Sequence, residues 1–177
     1  MPTIVNAANC AVATGSGGVR LITKTGGVAG AADASAVSLE ALSGDFLLRV
    51  RLLGEGTAYA GVTADPAVGN DHVGIQRALQ LGSVSARPCE SGALRQPIFS
   101  IVGFAWIRRV GATLDYATGA DPSALSVKRT VAGVTGPLKF DCSILTPGVP
   151  LEIKFDVPAA FVQPKRRRQC LSLGVSI

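Results

Sequence analysis

FAWIRRVGATLDYATG, residues Phe104–Gly119, is the stretch that decides how this chain folds. Phe104, Trp106 and Arg108 alternate with Ala105 and Ile107, and beyond Gly111 Leu114 and Tyr116 alternate with Thr113 and Asp115. Successive side chains of a strand point to opposite faces, so this period of two predicts two strands, each with a drier and a wetter face. Arg109-Val110-Gly111 reads as a three-residue loop in which Gly111 supplies the left-handed conformation. That loop sets Phe104 and Trp106 across from Tyr116 and Leu114, and the four are expected to form a core face.

The same period recurs on both sides of the hairpin. Val19–Thr25 reads as a strand stopped by Gly26-Gly27. In Asp45–Leu53, Phe46, Leu48, Val50 and Leu52 share one face, and Arg49 and Arg51 mark the other as wetter. Thr57–Thr63 and Ile75–Leu81 follow, with a polar loop at residues 65–74 between them. Ser83–Pro88 and Ala93–Phe99 flank a turn at Glu90-Ser91-Gly92. Leu125–Val131 and Leu138–Leu145 come after the hairpin. Leu151–Val157 is the clearest alternation, with Leu151, Ile153, Phe155 and Val157 against Glu152, Lys154 and Asp156. Ala34–Leu42 is rich enough in alanine for a short helix. Val37, Leu39 and Ala41 also alternate with Ser38, Glu40 and Leu42, and we read a strand.

Short strands at regular spacing, with Gly- and Pro-rich turns between them, predict an all-β fold, an antiparallel β-sandwich or barrel. The chain has 177 residues, 47% of them hydrophobic and 21 of them glycine, enough for one domain with a real core. We divide it into an N-terminal arm or edge strand (1–18), a sandwich (19–157) and a C-terminal tail (158–177) that includes the alternating run Leu171–Ile177. No apolar run approaches the ~20 residues of a membrane helix. The start, MPTIVNAANCAVATGSGG, lacks the basic and apolar blocks of a signal peptide, so none is expected. Cys10, Cys89, Cys142 and Cys170 are too scattered for a zinc site, and in a chain without a secretion signal they are expected as reduced thiols.

The net charge of +5 is uneven. Lys165, Arg166, Arg167 and Arg168 cluster in the tail, and Arg108–Arg109 sit in the expected hairpin turn. No aromatic residues interleave the tail cluster, which favours a protein partner over nucleic acid.

No reaction centre is legible. A glycosidase needs two carboxylates flanking one bond. Glu152 and Asp156 share a strand face but lie ~13 Å apart, and they read as solvated charges. Any nucleophile triad must use His72, the only histidine, and a loop histidine beside Asp71 reads as surface. Asp65, Asn70 and Asp71 supply too few oxygens for calcium on their own. No Walker A, GxGxxG or HExxH run occurs, so no cofactor or metal is expected. Trp106, Tyr59 and Tyr116 read as strand residues rather than a sugar platform.

Taken in order, LITKTGG (Leu21–Gly27), SGDFLLRVRL (Ser43–Leu52), YAGVTADP (Tyr59–Pro66), IQRALQL (Ile75–Leu81), CESG (Cys89–Gly92), WIRRVGATLDYATG (Trp106–Gly119) and PLKFDCSIL (Pro137–Leu145) resemble the concanavalin A-like jelly-roll domain of tailed-bacteriophage virion structural proteins. The resemblance runs from about Val19 to Val157. It departs at Ile75–Leu81, which lacks the usual aromatics, and at Thr118-Gly119, where an Asn-Gly tip is usual. The resemblance implies a jelly roll of two stacked sheets and a non-enzymatic role in the virion, in a protein made in the host cytoplasm. The subunit would act as a capsid decoration, head-fibre or tail-associated part. The expected partners are copies of itself, with a trimer or higher ring suiting a fibre, and other virion proteins. A receptor-binding module for a host-surface glycan is the alternative. Partner contacts are expected at Lys165, Arg166, Arg167, Arg168, Leu171, Leu173 and Val175, because an exposed strand edge can be completed by another chain.

Overall fold

The computed structural model describes residues 2–66 and 72–156. The basic cluster Lys165–Arg168, the run Leu171–Ile177 with Leu171, Leu173 and Val175, and Cys170, Asn70 and Asp71 lie outside the described residues.

Fifteen strands follow one another among the described residues. The first five are β1 (Ile4–Ala8), β2 (Cys10–Thr14), β3 (Arg20–Lys24), β4 (Ser35–Ser38) and β5 (Phe46–Leu52). Then come β6 (Ala58–Thr63), β7 (Arg77–Leu81), β8 (Ser85–Glu90), β9 (Ala93–Leu94) and β10 (Phe99–Ser100). The last are β11 (Phe104–Val110), β12 (Thr113–Gly119), β13 (Ser126–Ala132), β14 (Lys139–Ile144) and β15 (Leu151–Asp156). One sheet runs β1-β4-β14-β6-β7-β8-β10, with β9 on β8, and the other runs β13-β12-β11-β5-β15-β3-β2. All named strand pairs are antiparallel.

The two sheets stack on one core. Phe46, Leu48, Val50, Leu52, Ile107, Leu114 and Tyr116 meet Ala60, Val62, Leu79, Leu81, Phe140, Cys142 and Ile144. Each fully buried leucine, valine or phenylalanine contributes roughly 1.5–3 kcal/mol, so this interface holds the fold. As the alternation predicts, Phe46, Leu48, Val50 and Leu52 of β5 and Leu151, Ile153 and Phe155 of β15 face the core; Val157 lies outside the described residues. β6 is buried along its whole length. It is central in its sheet, and on its outer side His72 and Ile75 pack against Tyr59. A Cβ on Gly61 would collide with the carbonyl of Arg77 in the neighbouring strand, so that position needs glycine.

The hairpin departs from expectation. Val110 pairs with Thr113, so the turn has two residues, Gly111-Ala112, with Gly111 at φ 58°. Glycine at the first central position is the signature of a type II′ turn. Tyr116 and Leu114 therefore face Ile107 and Arg109. Ala105 and Ile107 enter the core, while Phe104 and Trp106 lie on the outer face. In β4 the expected face is also reversed. Ala34, Ala36 and Ser38 are buried while Leu39 is 57% exposed, and the strand ends at Ser38.

The N-terminal segment forms two edge strands, β1 on one sheet and β2 on the other, joined by Asn9 alone at φ 50°. This link closes one side of the sandwich. Lys24, fully buried, donates to the Val28 and Ala31 carbonyls and to Asp33, and so folds the loop after β3 around its ammonium. Cys10, Cys89 and Cys142 are buried free thiols, and burial pushes the Cys10 thiol up to about 11.

Candidate functional site

On the outer face of the seven-stranded sheet, register places β11, β5 and β15 side by side. Trp106 pairs with Arg49, and Arg49 with Lys154; Arg51 pairs with Glu152. Arg49 and Arg51 lie over the Phe104 ring, their guanidinium carbons 4.1 and 4.7 Å from its centre. Both donate to Glu152 through Nη2, at 3.1 and 2.7 Å. Trp106 meets Phe104 edge to face and donates its indole N–H to the Gly119 carbonyl at 2.8 Å. Trp106, Leu47 and Ala117 form a small apolar cluster of their own, with Leu125 over it. Glu152 is thus 8% exposed and ion-paired, not the solvated charge its sequence position predicts. It is held by two arginines as an acceptor, so it is not a free general acid or base.

The outer face of the eight-stranded sheet carries Tyr59, stacked on His72 at 4.2 Å with its hydroxyl receiving a hydrogen bond from Gln80 at 2.8 Å. Ile75, Ala78 and Cys89 complete this cluster. Asp141 sits on the same face, 5% exposed. Burial raises its carboxyl to about 7, against a smaller lowering by the backbone N–H of Cys142. Its cross-strand neighbours are Gly61 and Val37. Neither has a polar side chain, so this proton-holding group has no catalytic partner on the flanking strands.

Most other described carboxylates hold loops and strands together. Glu90 receives Nε and Nη2 of Arg129 at 2.7 and 3.1 Å, and Arg95 approaches it at 3.3 Å. Those contacts, the Arg129 hydrogen bond first, hold its carboxyl below the usual range. Asp115 receives Arg108 and Thr130. Glu40 receives Thr3, Asp45 the amide of Gly111, and Asp121 Ser123. Arg108 and Arg109, expected as turn charges, are both engaged: Arg109 is buried and donates to the carbonyls of Gly111, Val134 and Gly136. Asp65 is exposed, and no group of three or more His, Cys, Asp or Glu side chains comes together among the described residues.

One end of the inter-sheet space is polar. Arg77 and Glu90 are paired across β7 and β8, and Tyr116 and Arg129 across β12 and β13. Arg77 lies on the inward face of β7 with Leu79 and Leu81, and Tyr116 on the inward face of β12 with Leu114. The four converge there from opposite sheets. Sequence reading could not find them, because they are far apart in the chain and only the sheet register brings them together.

No known protein-family profile and no curated protein sequence matches the chain. Solved structures do. The PSpry domain of TRIM65 superposes with a TM-score of 0.60 at 11% identity, covering 88% of this chain and 92% of that one. The SPRY domain of human HERC1 superposes at 0.54 and 10% identity, covering 85% and 96%. A legume lectin-like domain from Entamoeba histolytica superposes at 0.53 and 10% identity, covering 86% and 89%. At such identities the likeness speaks for the fold, and with the two stacked antiparallel sheets it identifies the chain as a concanavalin A-like jelly-roll β-sandwich.

Proposed function

We propose that this protein is a non-enzymatic structural subunit of a tailed-phage particle, working through contacts with copies of itself and with other virion proteins. One observation carries the non-enzymatic part. Glu40, Asp45, Glu90, Asp115, Asp121 and Glu152 each accept hydrogen bonds from neighbouring backbone or side chains. Groups fixed as structural acceptors are not available for proton transfer. The open edge of β13 supports docking. Five of its seven residues are exposed, and it ends its sheet on the side opposite the Asn9 link. The order of motifs in the sequence supports the phage setting.

The test is imaging of purified particles in which this chain carries an electron-dense label. Label at fixed, symmetry-related positions on the head or tail is the expected result. Unlabelled particles from cells that express the tagged chain defeat the reading. A glycan array run with the same preparation addresses the second reading, a glycan-binding fibre module. Saturable binding to one glycan class would replace the structural role with that one.

A further inference from the structure

Among the described residues Arg77 forms no salt bridge of its own. Its guanidinium makes one hydrogen bond among those residues, from Nη1 to the Gln76 carbonyl at 2.8 Å, and its Nε is buried with no acceptor. Two other arginines in the chain use the edge formed by Nε and Nη2 to hold a carboxylate: Arg129 on Glu90 and Arg108 on Asp115. Among the described residues the same edge of Arg77 holds no carboxylate. Glu90, its cross-strand neighbour, already receives Arg129 and Arg95. Three guanidiniums therefore gather about one carboxylate. Arg109 adds a fourth cation nearby, satisfied by the carbonyls of Val134 and Gly136.

A second donor without an acceptor shares this end of the sandwich. Tyr116 is fully buried, and its hydroxyl has no hydrogen-bond partner. It lies close enough to Arg77, Glu90 and Arg129 to feel their charges. Leaving a buried donor unpaired costs stability. Arg77, Gln76, Val134, Thr135 and Leu138 line a mouth of about 190 Å³, room for a small planar anion beside the Arg77 guanidinium.

We propose that this mouth binds a carboxylate, held side-on by the Nε–Nη2 edge of Arg77. Two acceptor oxygens match the planar fork of a guanidinium, which is why arginine recognises this group so often. The carboxylate comes either from a small free acid or from an acidic residue of a partner polypeptide. The inference does not depend on the virion reading, since it concerns Arg77 and not the tail.

The experiment follows the arginine Nε–H signals of the isotopically labelled full chain by NMR during titration with acetate, with neutral acetamide as control. A saturable shift of the Arg77 signal with acetate alone, together with a rise in thermal midpoint, is the expected result. Arg77→Met abolishes both, and its own thermal midpoint without acetate is no lower than the parent's, because an uncompensated charge has been removed. A short capped peptide with one glutamate separates the sources. Tighter binding than acetate assigns the site to a polypeptide, and equal or weaker binding assigns it to a small acid. An unmoved Arg77 signal overturns the proposal, as does an equal response to chloride or phosphate, or acetate binding that survives Arg77→Met.

Discussion

Asp141 lies on the outer face of β14 between Gly61 and Val37, buried and without a cation among the described residues. Burial raises its carboxyl from 3.8 to about 7, so the folded chain holds this proton more tightly than the unfolded chain does. The sign follows from linkage. Between about pH 4 and 7 the folded state binds more protons, so this group's contribution to stability falls as pH rises and levels off above about 7. At about 1.4 kcal/mol per pH unit, the ceiling is about 4 kcal/mol. Asparagine is close in shape and carries no charge. Asp141→Asn is therefore expected to raise the thermal midpoint above pH 7, with the gain shrinking to nothing near pH 4. Unfolding curves of both proteins across that range check it. A gain of equal size at every pH would mean that the charge of Asp141 is not what costs stability.

Three neighbouring strands are tied across the outer face of the seven-stranded sheet by one carboxylate. Glu152 of β15 receives Arg49 and Arg51 of β5, and both guanidiniums cover Phe104 of β11. Removing one partner from a half-buried ionic group leaves the other uncompensated, which costs more than the pair contributes. Glu152→Gln is expected to lower stability by about 1–3 kcal/mol. Lys154→Met, which breaks the local pair with Asp156 on the same strand, is expected to cost well under 1 kcal/mol. Denaturant unfolding of the two variants side by side decides it, and equal losses would refute the clamp. This element also marks where sequence reading stops. The alternation of β5 and β15 shows which residues share a face, and Phe46, Leu48, Val50 and Leu52 do point inward. It cannot show which face is inside when both are covered. Trp106 is 1% exposed on an outer face, because Leu47, Ala117 and Leu125 pack around it. Assigning the largest aromatic to the core therefore inverted β11. A turn one residue shorter than read is enough for that, since strand faces change with every residue. Arg77, Glu90, Tyr116 and Arg129 were invisible for a related reason. Register pairs Arg77 with Glu90 and Tyr116 with Arg129. Only the stacking of the two sheets brings the pairs together, with Glu90 meeting Arg129 across 39 residues of chain, and no local period encodes that.

At the scale of the whole molecule, the sandwich has two unlike sides. The link at Asn9 joins an edge strand of one sheet to an edge strand of the other, so β1 and β2 seal one side. On the other side β10 is two residues long, and β13 runs exposed beyond it. An unsealed edge with unpaired backbone groups is where another chain can add on. Lys128 and Arg129 on β13 discourage indiscriminate pairing there, which favours a specific partner over aggregation. β15 is the last described strand, and it is already flanked by β5 and β3. Deleting residues 159–177 therefore removes no strand of either described sheet, while it takes away Lys165–Arg168 and the Leu171–Ile177 run. On the structural reading of function, the shortened chain is expected to keep its β spectrum and its cooperative unfolding. It is also expected to sediment as a monomer where the full chain sediments as an oligomer. A shortened chain that unfolds would show that the tail belongs to the core. One that assembles normally would move the docking surface off the tail and onto the β13 edge, where Val127→Asp is the next substitution to make.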